Sequence, residues 1–150
     1  MRLIDERFLE ASGTAALTTE RKKMSYRKVV MVEGVATPMG PSSHAIIFGD
    51  LVYAALTTPL RPDGTIARGD FPAQMQQCME NVKMILEKCG SSMDKVIKVT
   101  VVMPRITDFP EMNRIYMHYF KPGNYPARAS IEAKMGNPDY LVEMECLAHI

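Results

Sequence analysis

The spacing of hydrophobic positions changes several times along the chain, and each change marks an element. "YRKVVMVEG", "HAIIFG" and "LVYAALT" are short apolar or alternating runs that predict three strands, the last two joined at a tight "GD" turn. In "DFPAQMQQCMENVKMILEKCG", Met75, Cys78, Met79, Val82, Ile85, Leu86 and Cys89 recur at steps of three and four, which predicts a helix with one apolar face. Asp70 can cap it, Pro72 suits its first turn and Gly90 stops it. "DKVIKVTVVMP" reads as a β-branched strand and "TDFPEMNRIYMHYF" as a second helix, capped by Thr107 or Asp108. "ARASIEA" and "YLVEMECLA" are the last strands, joined by "MGNPD". The order β-β-β-α-β-α-β-β predicts an α+β domain over residues 26–150, a mixed sheet with two helices packed on one face. Residues 1–25 read as an N-terminal extension in which "LIDERFLEA" makes a short helix that "ASGTAAL" breaks.

Alternation within the last strands raises the chemical question. Arg128, Ser130 and Glu132 share one face of their strand, and Ala127, Ala129, Ile131 and Ala133 the other. In the final strand Val142, Met144, Cys146 and Ala148 alternate with Glu143, Glu145 and Leu147. If these two strands pair and their apolar sets meet the helices, Arg128, Ser130, Glu132, Glu143 and Glu145 share the opposite face. The central strand is apolar on both sides, through Val96 and Val102 on one and Ile97, Val99, Val101 and Met103 on the other. Such a sheet calls for a second cover, and self-association supplies it. A guanidinium at the margin of that interface is either an ion-pair partner for Glu132, Glu143 or Glu145, or a bidentate clamp for a small carboxylate.

Composition narrows the classes. The 150 residues suit one domain, 47% are hydrophobic, and no run nears the ~20 apolar residues of a membrane helix. The opening "MRLIDERFLE" lacks the apolar core of a secretory signal. Lys and Arg number 18 against 17 Asp and Glu, a net +1 that gives no electrostatic case for nucleic acid. The basic bias is confined to the first 30 residues, seven Lys/Arg against four Asp/Glu. The three cysteines form no CxxC, and His44, His118 and His149 lie at no ligand spacing. We therefore expect no disulfide or metal site, and free buried thiols in a reducing cytoplasm. The 13 methionines read as adaptable core filler.

From about Val35 to Ala148 the chain resembles the reactive intermediate deaminase family, RidA or YjgF/YER057c/UK114. The resemblance rests on the order and spacing of "TPMGPSSHAI", "QCMENVKMILEKCG", "DKVIKVTVVMPRITDFPEMNRIY", "YPARASIEA" and "VEMECLA". It implies a chorismate-mutase-like fold, a homotrimer with clefts between subunits, and hydrolysis of enamines or imines to a carbonyl compound and ammonia without metal or cofactor. By position, Arg128 matches the family's substrate-carboxylate arginine, Glu145 its water-directing glutamate and Asn113 a site-lining asparagine. Where the family commonly has tyrosine after "GP" this chain has Ser42, with His44 two residues on. The family's "SGQ" stands here as Ala55, Leu56 and Thr57, and a usual cysteine as Ser130.

The implied mechanism has Arg128 fix the substrate carboxylate and Glu145 act as base toward water or as a proton shuttle. Ser130 or Thr57 could hydrogen-bond the substrate, and His44 could take over acid–base work from the missing tyrosine. Candidate substrates are 2-aminoacrylate or a pathway-specific amino-substituted unsaturated acid such as 2-aminomuconate. The competing class is a non-catalytic trimeric protein that binds a small molecule in the same cleft; ribonuclease activity, a third reading, is disfavoured by the neutral charge.

Overall fold

The computed structural model of the chain describes residues 27–150. The expected extension over residues 1–25, with its helix, lies outside the described residues.

Strands β1 (Arg27–Val30), β2 (Ala45–Phe48) and β3 (Leu51–Thr57) form an antiparallel meander. Helix α1 (Phe71–Lys88), strand β4 (Val96–Met103), helix α2 (Phe109–Tyr116), and strands β5 (Ala127–Glu132) and β6 (Glu143–His149) follow. Among the described residues they build one six-stranded sheet in the order β1-β2-β3-β6-β4-β5. β6 lies antiparallel between β3 and β4, while β5 runs parallel to β4 at the edge. Within the described residues, every strand and helix expected from the sequence is present. α2 is shorter than expected, ending at Tyr116, and Met117 to Tyr119 continue as turns bonded to Asn113, Ile115 and Tyr116.

The core is the apolar stripe of α1 pressed on the sheet. Met75, Cys78, Met79, Val82, Ile85 and Leu86 are buried against Val52, Val99, Val101, Met144 and Ala148. The Asp70 carboxylate accepts the Ala73 N–H at 3.0 Å and caps the helix start. At its end Ser91 N–H bonds the Leu86 carbonyl and Gly90 N–H that of Glu87, a Schellman closure that places Gly90 at φ +80.

Two buried polar residues of α1 hold loops rather than core. Gln74 donates to the Ala67 and Asp139 carbonyls and accepts the Leu141 N–H, all within 2.8–2.9 Å. Asn81 donates to the Thr58 and Leu60 carbonyls at 3.0 and 2.8 Å. These bonds fix the two irregular segments beside β3 and β6, because buried carbonyls without partners are costly.

The second sheet face carries no helix among the described residues. It presents Val29, Phe48, Tyr53 and Ile131, each 45–49% exposed, together with Lys98, Thr100, Glu143 and Glu145.

Candidate active site

β5 and β6 are not neighbours; β4 separates them. Arg128 is level with Val99 and Ser130 with Val101, both core residues, so Arg128, Ser130 and Glu132 point to the helix side. Glu145 is level with Thr100 and Glu143 with Val102, on the open side. The expectation that Arg128 and Glu145 share a face on adjoining strands is thus corrected. Ala129 and Ile131, expected to face the core, lie on the open face instead.

α2 explains why an arginine can face the helices. Phe109, Met112, Asn113 and Tyr116 follow helical spacing, and this stripe meets Arg128. The guanidinium carbon lies 4.7 Å from the Tyr116 ring centroid and 5.4 Å from that of Phe109. Nη1 approaches Met112 Sδ at 3.7 Å. No salt-bridge partner of Arg128 is found among the described residues. Arg128 opens instead into a pocket of about 560 Å³ lined by Asn113, Tyr116, Met117, Tyr125 and Pro126. Glu132, expected as an interface ion-pair partner, accepts the Ile106 N–H at 2.7 Å and so ties β5 to the turn before α2.

Two hydroxyls on the helix side of the sheet, Tyr116 Oη and Ser130 Oγ, are buried without a hydrogen-bond partner among the described residues. Burial pushes the Tyr116 phenol up to about 12, against the opposing pull of Arg128, so it remains a neutral donor at physiological pH.

Glu145 is exposed on the open face. It stands opposite a β-bulge: Ala54 pairs Cys146 and Thr57 pairs Met144, so Ala55 and Leu56 together oppose one residue. Its hollow, about 260 Å³, is lined by Tyr53, Ala54, Lys98, Thr100, Cys146 and Leu147. Burial holds the Glu143 carboxyl above its ordinary range.

His44 is buried with both ring nitrogens engaged. Nδ1 accepts the Val32 N–H at 2.8 Å, which makes Nε2 the protonated nitrogen, donating to the Ala36 carbonyl at 2.9 Å. That leaves no nitrogen for a substrate and corrects the acid–base role considered for it. Thr57 is buried and its hydroxyl donates to the Ala55 carbonyl at 2.9 Å. His44 and Thr57 line a recess of about 50 Å³ with Ser42, Ser43 and Thr58, apart from the Arg128 pocket. The structure therefore groups Arg128, Asn113 and Ser130 by element and face, and separates Glu145 from them. No group of three or more His, Cys, Asp or Glu able to hold a metal occurs among the described residues.

A family model described as Endoribonuclease L-PSP matches residues 33–150. A RutC family protein of Pyrococcus abyssi is 38% identical over 124 residues, covering 82% of this chain and 97% of that one. The chain belongs to the RidA/YjgF family. A RutC family protein of Haemophilus influenzae is 32% identical, with 81% of this chain and 95% of that one covered. Among solved structures, a protein of the conserved Rid family from Yersinia pestis superposes with a TM-score of 0.79 at 31% identity, over 83% and 100% of the two chains. E. coli TdcF, solved with bound serine, gives 0.75 at 26%, over 82% and 98%.

Sequence reasoning on this Rid-family chain missed the aromatic side of the site. Phe109, Tyr116 and Tyr125 were absent from the candidates, although the stripe at 109, 112, 113 and 116 was visible. An arginine on the strand opposite that stripe was the signal, and strand order was needed to see it. The described residues contain no helix long and apolar enough to cross a membrane.

Proposed function

We propose that this Rid-family chain is a hydrolytic deaminase of enamine or imine carboxylic acids, acting in the cytoplasm as a homotrimer. The observation that carries the reading is the Arg128 guanidinium, which faces a pocket and has no acidic partner among the described residues. A planar fork of N–H donors left unspent beside aromatic walls matches a carboxylate bidentately. The serine bound to the related TdcF is a molecule of that size bearing a carboxylate.

The chemistry needs positioning and proton transfer. An enamine acid is first protonated at carbon by solvent, which gives the iminium; an imine acid reaches the same ion by protonation at nitrogen. Water then adds to the iminium carbon, forming a C–O bond as its proton passes to Glu145. The tetrahedral carbinolamine takes that proton on nitrogen, the C–N bond breaks as the hydroxyl proton passes back to Glu145 and from there to solvent, and ammonia leaves with a keto acid. Arg128 fixes the carboxylate and hence the reacting carbon, and such positioning is worth several kcal/mol.

Arg128 and Glu145 of one chain face opposite ways, so the reacting pair is Arg128 of one copy and Glu145 of another. The exposed apolar residues on the face around Glu145 support this assembly. The same separation also supports a second reading, a binding protein whose Arg128 pocket captures carboxylates without turnover. An RNA substrate, the class named in the family description, gains no electrostatic support from a net charge of +1.

The test is to generate 2-aminoacrylate with a PLP-dependent dehydratase and follow pyruvate release. We expect acceleration by the wild-type protein and none by Arg128→Ala. Tight keto-acid binding without acceleration establishes the binding protein, and full activity in Arg128→Ala removes the clamp.

A further inference from the structure

A half-buried guanidinium is ordinarily neutralised by a carboxylate. Among the described residues, the acids of β5, of α2 and of the turn before it are committed elsewhere. Asp108 pairs with Arg105 at 3.1 Å, Glu111 binds Arg114 through two contacts of 2.6 and 2.8 Å, and Glu132 accepts the Ile106 N–H. What holds Arg128 is a pair of rings, with Tyr116 closer at 4.7 Å and itself packed on Phe120 at 4.6 Å between centroids.

We propose that Tyr116, assisted by Phe109, is a positioning residue for carboxylate binding: its ring fixes the Arg128 guanidinium while leaving the N–H donors free for the incoming anion. The proposal rests on Arg128 being the carboxylate clamp. A carboxylate partner would also hold Arg128, but it would compete with the ligand for the same donors. An aromatic face attracts the cation through its quadrupole and occupies no in-plane N–H. Met112 Sδ takes one weak contact at 3.7 Å. The clamp is thereby ordered before the ligand arrives and its hydrogen-bonding capacity remains unspent, which lowers the ordering cost at binding. The Tyr116 hydroxyl is buried without a hydrogen-bond partner among the described residues, and the arrangement calls on the ring rather than on that hydroxyl.

The experiment is calorimetric titration of pyruvate, with pyruvamide as the uncharged control, into wild type, Tyr116→Phe, Tyr116→Leu and the same pair in an Arg128→Ala background. Tyr116→Leu is expected to weaken pyruvate about tenfold and Tyr116→Phe by less than about twofold. Neither change alters pyruvamide, and Tyr116→Leu adds nothing once Arg128 is alanine. Phe109→Leu, at the more distant ring, gives a smaller loss in the same direction and serves where Tyr116→Leu fails to fold. Equal losses in the phenylalanine and leucine variants, or a Tyr116→Leu effect that persists without Arg128, overturn the proposal. Pyruvate binding that depends on Arg128 and Tyr116 but comes with no turnover removes the deaminase reading and leaves the aromatic cradle standing. Turnover with pyruvate affinity indifferent to Tyr116→Leu does the reverse, and affinity indifferent to Arg128→Ala overturns both.

Discussion

Arg128 and Glu145 stand on opposite faces of one sheet, level with the adjacent residues Val99 and Thr100 of the strand between them. A chain with this arrangement cannot bring both groups to one small substrate by itself. Arg128→Ala and Glu145→Gln are each expected to be inactive alone. Co-expressed, the two variants recover measurable deaminase activity, because a mixed assembly contains sites with an intact Arg128 from one copy and an intact Glu145 from another. Absence of recovery in verified mixed oligomers means that the pair does not act across copies.

His44 is a backbone brace. Replacing it with alanine strands the buried Val32 N–H and the Ala36 carbonyl, at a cost of about 2 kcal/mol in unfolding free energy. The shape of the kcat/KM pH profile stays that of wild type, since neither ring nitrogen is available to a substrate. A lost limb in that profile, with folding intact, restores His44 to the chemistry.

Asn81 carries more stability than its place on an apolar helix face implies. Asn81→Ala leaves the Thr58 and Leu60 carbonyls unpaired and costs about 3 kcal/mol by urea unfolding. Asn81→Leu, which restores volume but no donor, recovers little. Full recovery by leucine indicates that packing, not the two hydrogen bonds, set the cost.

Alkaline pH is expected to destabilise the fold. Burial pushes the Cys146 thiol from 9.0 up to about 12 and the Tyr116 phenol from 10.0 up to about 12. The unfolded chain releases these protons at the ordinary values while the folded chain keeps them. Fewer protons on the unfolded state means that stability falls as pH rises from about 9 toward 12. Urea midpoints measured between those limits decline, and Cys146→Ala, although less stable at neutral pH, declines less steeply. An unchanged slope in that variant removes Cys146 as a source.

The elements, and the residues that share a face in most of the strands, were legible from the chain alone; β4 is the exception, where a register shift between Val96 and Lys98 sets Val96 level with the buried Ala148 and leaves Ile97 exposed, against the alternation expected for them. Periods of two and of three to four are local properties, written by backbone geometry, so α1, its cap and its Gly90 stop were all legible. The grouping of Arg128 with Ser130, and of Glu143 with Glu145, was legible for the same reason. The family was legible from the order and spacing of its motifs.

How those faces relate to one another was settled by the folded chain. Alternation fixes a strand's two sides but not which side meets the core, and strand order follows from non-local pairing. The insertion of β4 between β5 and β6, and the parallel course of β5, turned Arg128 toward α2 and left Glu145 on the open face. An arginine is tolerated there because the edge strand lies under the aromatic stripe of α2, whose ring faces hold a cation that aliphatic side chains would not. His44 shows the same limit: its type pointed to proton transfer, and two backbone groups 12 and 8 residues away in the chain decided otherwise.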